Sequence, residues 1–235
     1  YEIELEVDNS GVGPGTQFNS TKSIMEMLRK CIRIILSGLQ DTKYPVSISE
    51  SNQVINSYMK LIHGNDYELP KRILPKHFIG PNSQTLQIDN ILLDNPNLNV
   101  PNIRTNYTVT DKADGSRKLL YISEDGRIYL IDMNMNVMFT GTKTIEPTIY
   151  NSLIDGEHIK FDKEGKFINL YAAFDIYYIN MKSVREMPFI VNDMINENNP
   201  NYRLHKLNRL IELINPVYTG DSTKLIDFKI KCKTF

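Results

Sequence analysis

Thr110-Asp111-Lys112-Ala113-Asp114-Gly115-Ser116-Arg117 contains Lys-x-Asp-Gly-x-Arg, a set of residue types suited to attack on phosphorus. A lysine attacks through a lone pair, and with an ordinary pKa of ~10.4 only about one amine in a thousand is neutral near pH 7.4. Lowering that value by ~2–3 units takes roughly 3–4 kcal/mol of desolvation or neighbouring positive charge. Val109 and Ala113 flank Lys112 and are placed to desolvate it. Gly115 lets the backbone turn close to a ligand. Arg117 offers a forked donor for ribose or phosphate oxygens. About forty residues on, Ile154-Asp155-Gly156-Glu157 supplies a carboxylate at Glu157 able to hold Mg²⁺ or a ribose. Phe174-Asp175-Ile176-Tyr177-Tyr178 adds an apolar plate at Phe174 against which a base can stack. Each segment alone also reads as a plain turn or a core aromatic.

The elements around them follow from pattern. Lys118 to Ile122 and Arg127 to Ile131 flank Glu124-Asp125-Gly126, a hairpin signal, and a second hairpin joins Leu153–Phe161 to Phe167–Tyr178 across Asp162 to Gly165. Upstream, Ser23 with Glu26 reads as a capping box opening a helix with the apolar face Ile24, Met27, Leu28, Cys31, Ile32, Ile35 and Leu39. A second helix is expected from Ser51 to Ile62, stopping at Gly64, before a loop-rich passage marked by Pro70, Pro75 and Pro81. Tyr202 to Ile214 is helical by period, and Leu225 to Phe235 is strand-like. Tyr1 to Val7 alternates as a strand and is closed off by Gly11, Gly13, Pro14 and Gly15. Helices followed by hairpins give an α+β fold, antiparallel sheets flanked by helices, rather than a doubly wound parallel sheet.

Composition narrows the class. The 235 residues are 41% hydrophobic and 23% charged, with 27 Lys+Arg against 28 Asp+Glu, so bulk charge selects no partner. No apolar run reaches the ~18 residues that span a bilayer. Cys31 and Cys232 are too few for a disulfide framework and read as reduced thiols. His63, His77 and His205 form no metal-ligand spacing, and His158 reads as packing. The chain opens and closes inside strand-like runs and is expected to be a fragment of something longer.

In order and spacing, the Lys112, Asp155 and Phe174 segments resemble motifs I, III and IIIa of the covalent nucleotidyltransferases, the mRNA capping enzymes and the ATP-dependent DNA and RNA ligases. The resemblance runs from about Phe78 to the chain end. It implies that Lys112 forms a lysyl-N-nucleotide bond, that Asp114, Gly115, Arg117, Glu157, Phe174 and Asp175 bind the nucleotide, and that Glu157 binds Mg²⁺ or Mn²⁺. His77-Phe-Ile-Gly-Pro81 and the stretch from Tyr107 to Gly115 look most like capping enzymes of large cytoplasmic DNA viruses, of the African swine fever virus, poxvirus and mimivirus type. That points to an mRNA guanylyltransferase, with GTP as substrate and the 5′ end of nascent viral mRNA as partner. It also implies a fused or associated methyltransferase, no membrane, and residence in the host cytoplasm, its viral factories or the virion. Residues 19–235 would form the guanylyltransferase domain. Residues 1–18 resemble the last strand of a tunnel-shaped RNA triphosphatase, in which Glu2, Glu4 and Glu6, ~6.6 Å apart on one face, share a metal; a solvent-facing edge strand is the competing reading.

The segment departs from the family pattern after Tyr178. The motif IV Glu/Asp-Gly and a motif V lysine pair in context are not found, and Phe228-Lys-Ile-Lys-Cys-Lys233 reads as the strand that precedes motif IV. This segment alone is therefore expected to bind GTP poorly and to react slowly or not at all. Two rivals stand beside the capping reading: a ligase adenylation domain that takes AMP, and a degenerate, non-catalytic RNA-binding module using Lys224, Lys229, Lys231 and Lys233.

Overall fold

The computed structural model describes residues 3–92, 100–104, 107–190, 201–219 and 227–235. The chain divides into two compact units, Tyr1–Ser47 and Ile48–Phe235.

In the first unit Val12 and Phe18 bridge across a Gly-Pro turn, and α1 spans Thr21–Leu39. Its cap differs from expectation: Ser20 accepts from the Ser23 backbone N–H while the Ser23 hydroxyl reaches back, so the box is closed by two serines three residues upstream of the expected pair. The strand expected over Tyr1 to Val7 is not formed at residues 3–7, because no described segment offers it a ladder to join. Glu4 and Glu6 are exposed, and no three metal-ligating side chains converge among the described residues. Tyr1 and Glu2 lie outside the described residues, as does Lys224.

The second unit opens with α2, Ile48–His63, three residues longer at its start than the pattern indicated. An antiparallel sheet follows: β1 Ser116–Ile122, β2 Arg127–Asp132, β3 Val137–Lys143, β4 Ser152–Phe161, β5 Phe167–Ile179, β6 Lys182–Ser183, β7 Val217–Tyr218 and β8 Lys229–Cys232, in the order β6-β5-β4-β1-β2-β3-β7. Helix α3, Arg203–Leu213, precedes β7, and β8 joins β5 in parallel, from Leu170↔Lys229 to Ala173↔Cys232. Both expected hairpins are present. β3 was not anticipated, although Asp132 ties the Met133–Asn136 turn that leads into it by accepting from Asn134 and Asn136.

The sheet is covered on both faces, which is why Leu119 to Ile122 are all buried rather than alternating. Leu120, Ile122, Leu130, Ile154 and Ile176 pack with Leu207 and Leu210 of α3, with Ile214 just after it and with Phe228. On the opposite side α2 is tied down by Glu50, which accepts from the Tyr129 hydroxyl at 2.9 Å and pairs with Arg127 at 3.3 Å. Helices and antiparallel sheet thus form the mixed architecture that the hairpins and helical periods called for. No described helix is long and apolar enough to cross a membrane.

Candidate active site

β1 and β4 pair with Ser116 opposite His158 and Arg117 opposite Glu157, which brings the segment before β1 against the Asp155-Gly156-Glu157 strand. Gly115 N–H donates to Glu157 Oε1 at 3.1 Å. The glycine answers to this close approach rather than to a turn: a Cβ there would sit 2.7 Å from His158 O and 2.8 Å from Glu157 Cγ. The loop is held at its other end by Thr110 Oγ1, which donates to Thr234 O at 2.6 Å, and by Lys233 Nζ, which donates to Asp111 O.

Lys112 rises from this anchored loop with its side chain 89% exposed, and its amine pairs with Asp114, itself 84% exposed, at 3.1 Å. The desolvation expected from Val109 and Ala113 is therefore absent. Val109 is itself exposed, since the segment precedes the sheet and nothing described covers it. Asp114 is the amine's ion-pair partner in this arrangement.

Arg117 is engaged on nearly every side. Its Nε and Nη2 grip Asp155 at 3.1 and 2.5 Å, and its Nη1 donates to Pro81 O at 2.6 Å. Asp155 has no exposed side-chain surface and also accepts from the Tyr177 hydroxyl at 2.6 Å. Burial pushes the Asp155 carboxyl above its usual range against the pull of Arg117 and Tyr177, while the hydrogen bond to Asp155 pushes the guanidinium further up. The forked donor expected to meet a ribose or phosphate thus has its Nε/Nη2 edge filled by Asp155. The reason is electrostatic: a carboxylate taken out of water needs a bidentate partner. The Phe174 ring, half-buried on β5, lies 5.8 Å from the Arg117 carbon Cζ, and Phe78 lies 5.5 Å from the same atom.

Asp175 does not belong with this group. Its carboxylate pairs with Arg203 of α3 at 2.8 and 3.2 Å, and Arg203 also donates to the carbonyls of Arg185 and Met187. Asp175 therefore fastens α3 to β5. His158 packs as the sequence indicated. Its Nε2 lies 2.8 Å from Asn169 Oδ1, and burial lowers its pKa to about 4.

The structure thus gathers Lys112, Asp114, Gly115 and Glu157 along one seam, sets Arg117 and Phe174 beside it, and directs Asp175 elsewhere. Sequence reasoning gave no role to Asp155 or Tyr58, and weighed Tyr177 only as an aromatic, core or base platform, rather than as a hydrogen-bond donor. A Tyr two residues after Asp175 on the same strand was the available signal for Tyr177. As for a metal, among the described residues Glu157 is a carboxylate at the seam that is in no ion pair. That donor set suits an ion arriving on a phosphate ligand, since Mg²⁺ commonly takes one or two carboxylates plus substrate phosphates, and it does not suit a resident cage.

Two comparisons bear on the site. The family model described as "mRNA capping enzyme, catalytic domain" matches residues 89–209, which run from ahead of the lysine loop into α3. A protein of Acanthamoeba polyphaga mimivirus, named as a probable mRNA-capping enzyme, is 30% identical over 201 residues, covering 84% of this chain. The chain spans 15% of that relative's length.

Proposed function

The chain belongs to the family of mRNA capping enzyme catalytic domains, and from that premise we propose that it carries out guanylyl transfer on a covalent nucleotidyltransferase fold. The Lys112 amine, released from Asp114, attacks the α-phosphorus of GTP in line. A nitrogen–phosphorus bond forms, the bridging bond to the β-phosphate breaks, pyrophosphate leaves with the electron pair, and the amine gives up a proton. A terminal oxygen of the RNA 5′-diphosphate then attacks the same phosphorus, frees Lys112 and completes the cap linkage. A Mg²⁺ bound with the triphosphate would offset its charge. Glu157 is the residue that would hold that ion, and Phe174 offers its ring to the base.

The observation that supports this reading is the bond from Gly115 N–H to Glu157 Oε1, which docks the lysine loop on the carboxylate strand. The exposure of Lys112 is compatible with it. In this reading the shielding and positive charge that free the lone pair arrive with the nucleotide and its metal. Incubation of the full-length protein with α-labelled GTP and Mg²⁺ tests the assignment. Covalent label is expected on the parent protein and lost in both Lys112→Ala and Lys112→Arg. Label that survives either substitution, or that comes from ATP and not GTP, overturns it.

A further inference from the structure

Arg117 has more partners than a ligand-binding side chain needs, and several come from the segment 77–81, upstream of the family match. That segment is pinned from below by one hydroxyl. Tyr58 on α2 is fully buried; its Oη donates to His77 O at 2.8 Å and accepts from Ile79 N–H at 2.9 Å. His77 closes the preceding turn, its Nδ1 accepting from Leu74 N–H at 2.9 Å. With both peptide groups held, Phe78 lies 5.5 Å from the guanidinium carbon, and Pro81 O receives Nη1. Gly80, between them, has a φ of +138° and lies so close that a Cβ would run into Arg117 Nη2 and come within 3.2 Å of both Asp155 Oδ2 and the Tyr177 hydroxyl. Only glycine fits there, for conformation and for space alike.

We propose that Tyr58 is a positioning residue for the nucleotide site, acting through Phe78, Gly80 and Pro81 to clamp the Arg117 guanidinium against Asp155 and beside the Phe174 ring. The clamp fixes one plane and two neighbours. Held by Asp155 on one edge and a carbonyl on another, the guanidinium stays fixed with its carbon 5.8 Å from the Phe174 ring centre and 5.5 Å from that of Phe78. It also holds the start of β1, two residues after the glycine that docks on Glu157. α2, remote from Lys112 in sequence, thereby sets the geometry that the base and sugar meet. The consequence for GTP rests on the guanylyl-transfer reading; the clamp itself does not.

The test uses the full chain with Tyr58→Phe, which removes both hydroxyl bonds and keeps the ring. Phe78→Leu, which removes only the aromatic neighbour, serves should the first variant fail to fold. Exchange of the Arg117 Nε–H, followed by NMR without any nucleotide, is expected to rise about tenfold when the loop is unpinned. The KM for GTP in guanylate formation is expected to rise about five- to tenfold with kcat within about twofold. A merely structural tyrosine would lower the melting temperature and move neither. Unchanged Nε–H exchange in a folded variant overturns the proposal, and so does faster exchange with an unchanged KM. Should the parent protein form no covalent guanylate, the functional reading fails separately, and the exchange measurement alone decides the clamp.

Discussion

No side chain fits at Gly156, because the Tyr171 ring fills the space: a Cβ there would lie 2.5 Å from Tyr171 Cζ and 2.7 Å from its hydroxyl oxygen. Tyr171 cannot yield. It is fully buried, its hydroxyl donates toward Lys118 O at 2.9 Å and Ile154 O at 3.0 Å, and it accepts from Leu120 N–H at 3.2 Å. The glycine of the Asp-Gly-Glu strand is thus a packing requirement that lets the Tyr171 ring of β5 lie against β4.

Gly156→Ala should therefore destabilise the fold by about 1–3 kcal/mol, the range for overpacking a filled core. Chemical denaturation of parent and variant measures it. Equal midpoints would mean that the ring has room to move.

Glu157 acts on the lysine loop through one bond, so Glu157→Ala frees Gly115 N–H and the loop it anchors. Covalent guanylate formation should fall by about 10²-fold, the scale for losing the placement of a reacting group, while the denaturation midpoint changes little because Glu157 is only half-buried. A rate within a few-fold of the parent would show that the loop is held without it.

Asp175 and Arg203 form a partly buried pair that fastens α3. Asp175→Ala is expected to cost about 3 kcal/mol, because it strands the guanidinium, and to leave the KM for GTP unchanged well below the melting temperature. A large rise in KM with little loss of stability would return Asp175 to the nucleotide site.

His158 gives a pH signature. Burial holds its folded-state pKa near 4, the nearby Lys118 and Lys160 also lower it, and the Asn169 contact opposes them. An unfolded histidine takes its proton near ~6.5. Stability from this group is thus fully present above that value and is lost as pH falls from there to about 4, a difference on the order of 3 kcal/mol. Denaturation at pH 7.5 and pH 4.5 should show a smaller drop for His158→Gln than for the parent. Identical drops would contradict a buried neutral imidazole.

Much of the scaffold was written in local pattern. Period-2 runs, the Asp-Gly and Glu-Gly turns and the helical stripe of α3 depend on neighbours a few residues away, so β1, β2, β4, β5 and α3 were found close to their ends. Patterns that depend on a distant partner misled. Ile3 to Val7 alternates as a strand does, yet strand character is realised only when a second strand supplies the ladder. β3, by contrast, was missed as a run but formed against β2.

Residue type and order along the chain singled out Lys112, Gly115, Arg117 and Glu157, but they meet through the β1–β4 ladder, which joins strands that no hairpin connects. Side-chain charge balance in three dimensions was settled only on folding. Arg117 turned toward Asp155, Asp175 turned toward Arg203, and Lys112 stayed in solvent beside Asp114. Each outcome follows from which opposite charge the fold carried within reach and how far it removed that charge from water. For Arg117 and Asp175 both depend on contacts between residues far apart in sequence, whereas Lys112 was left with a partner two residues away.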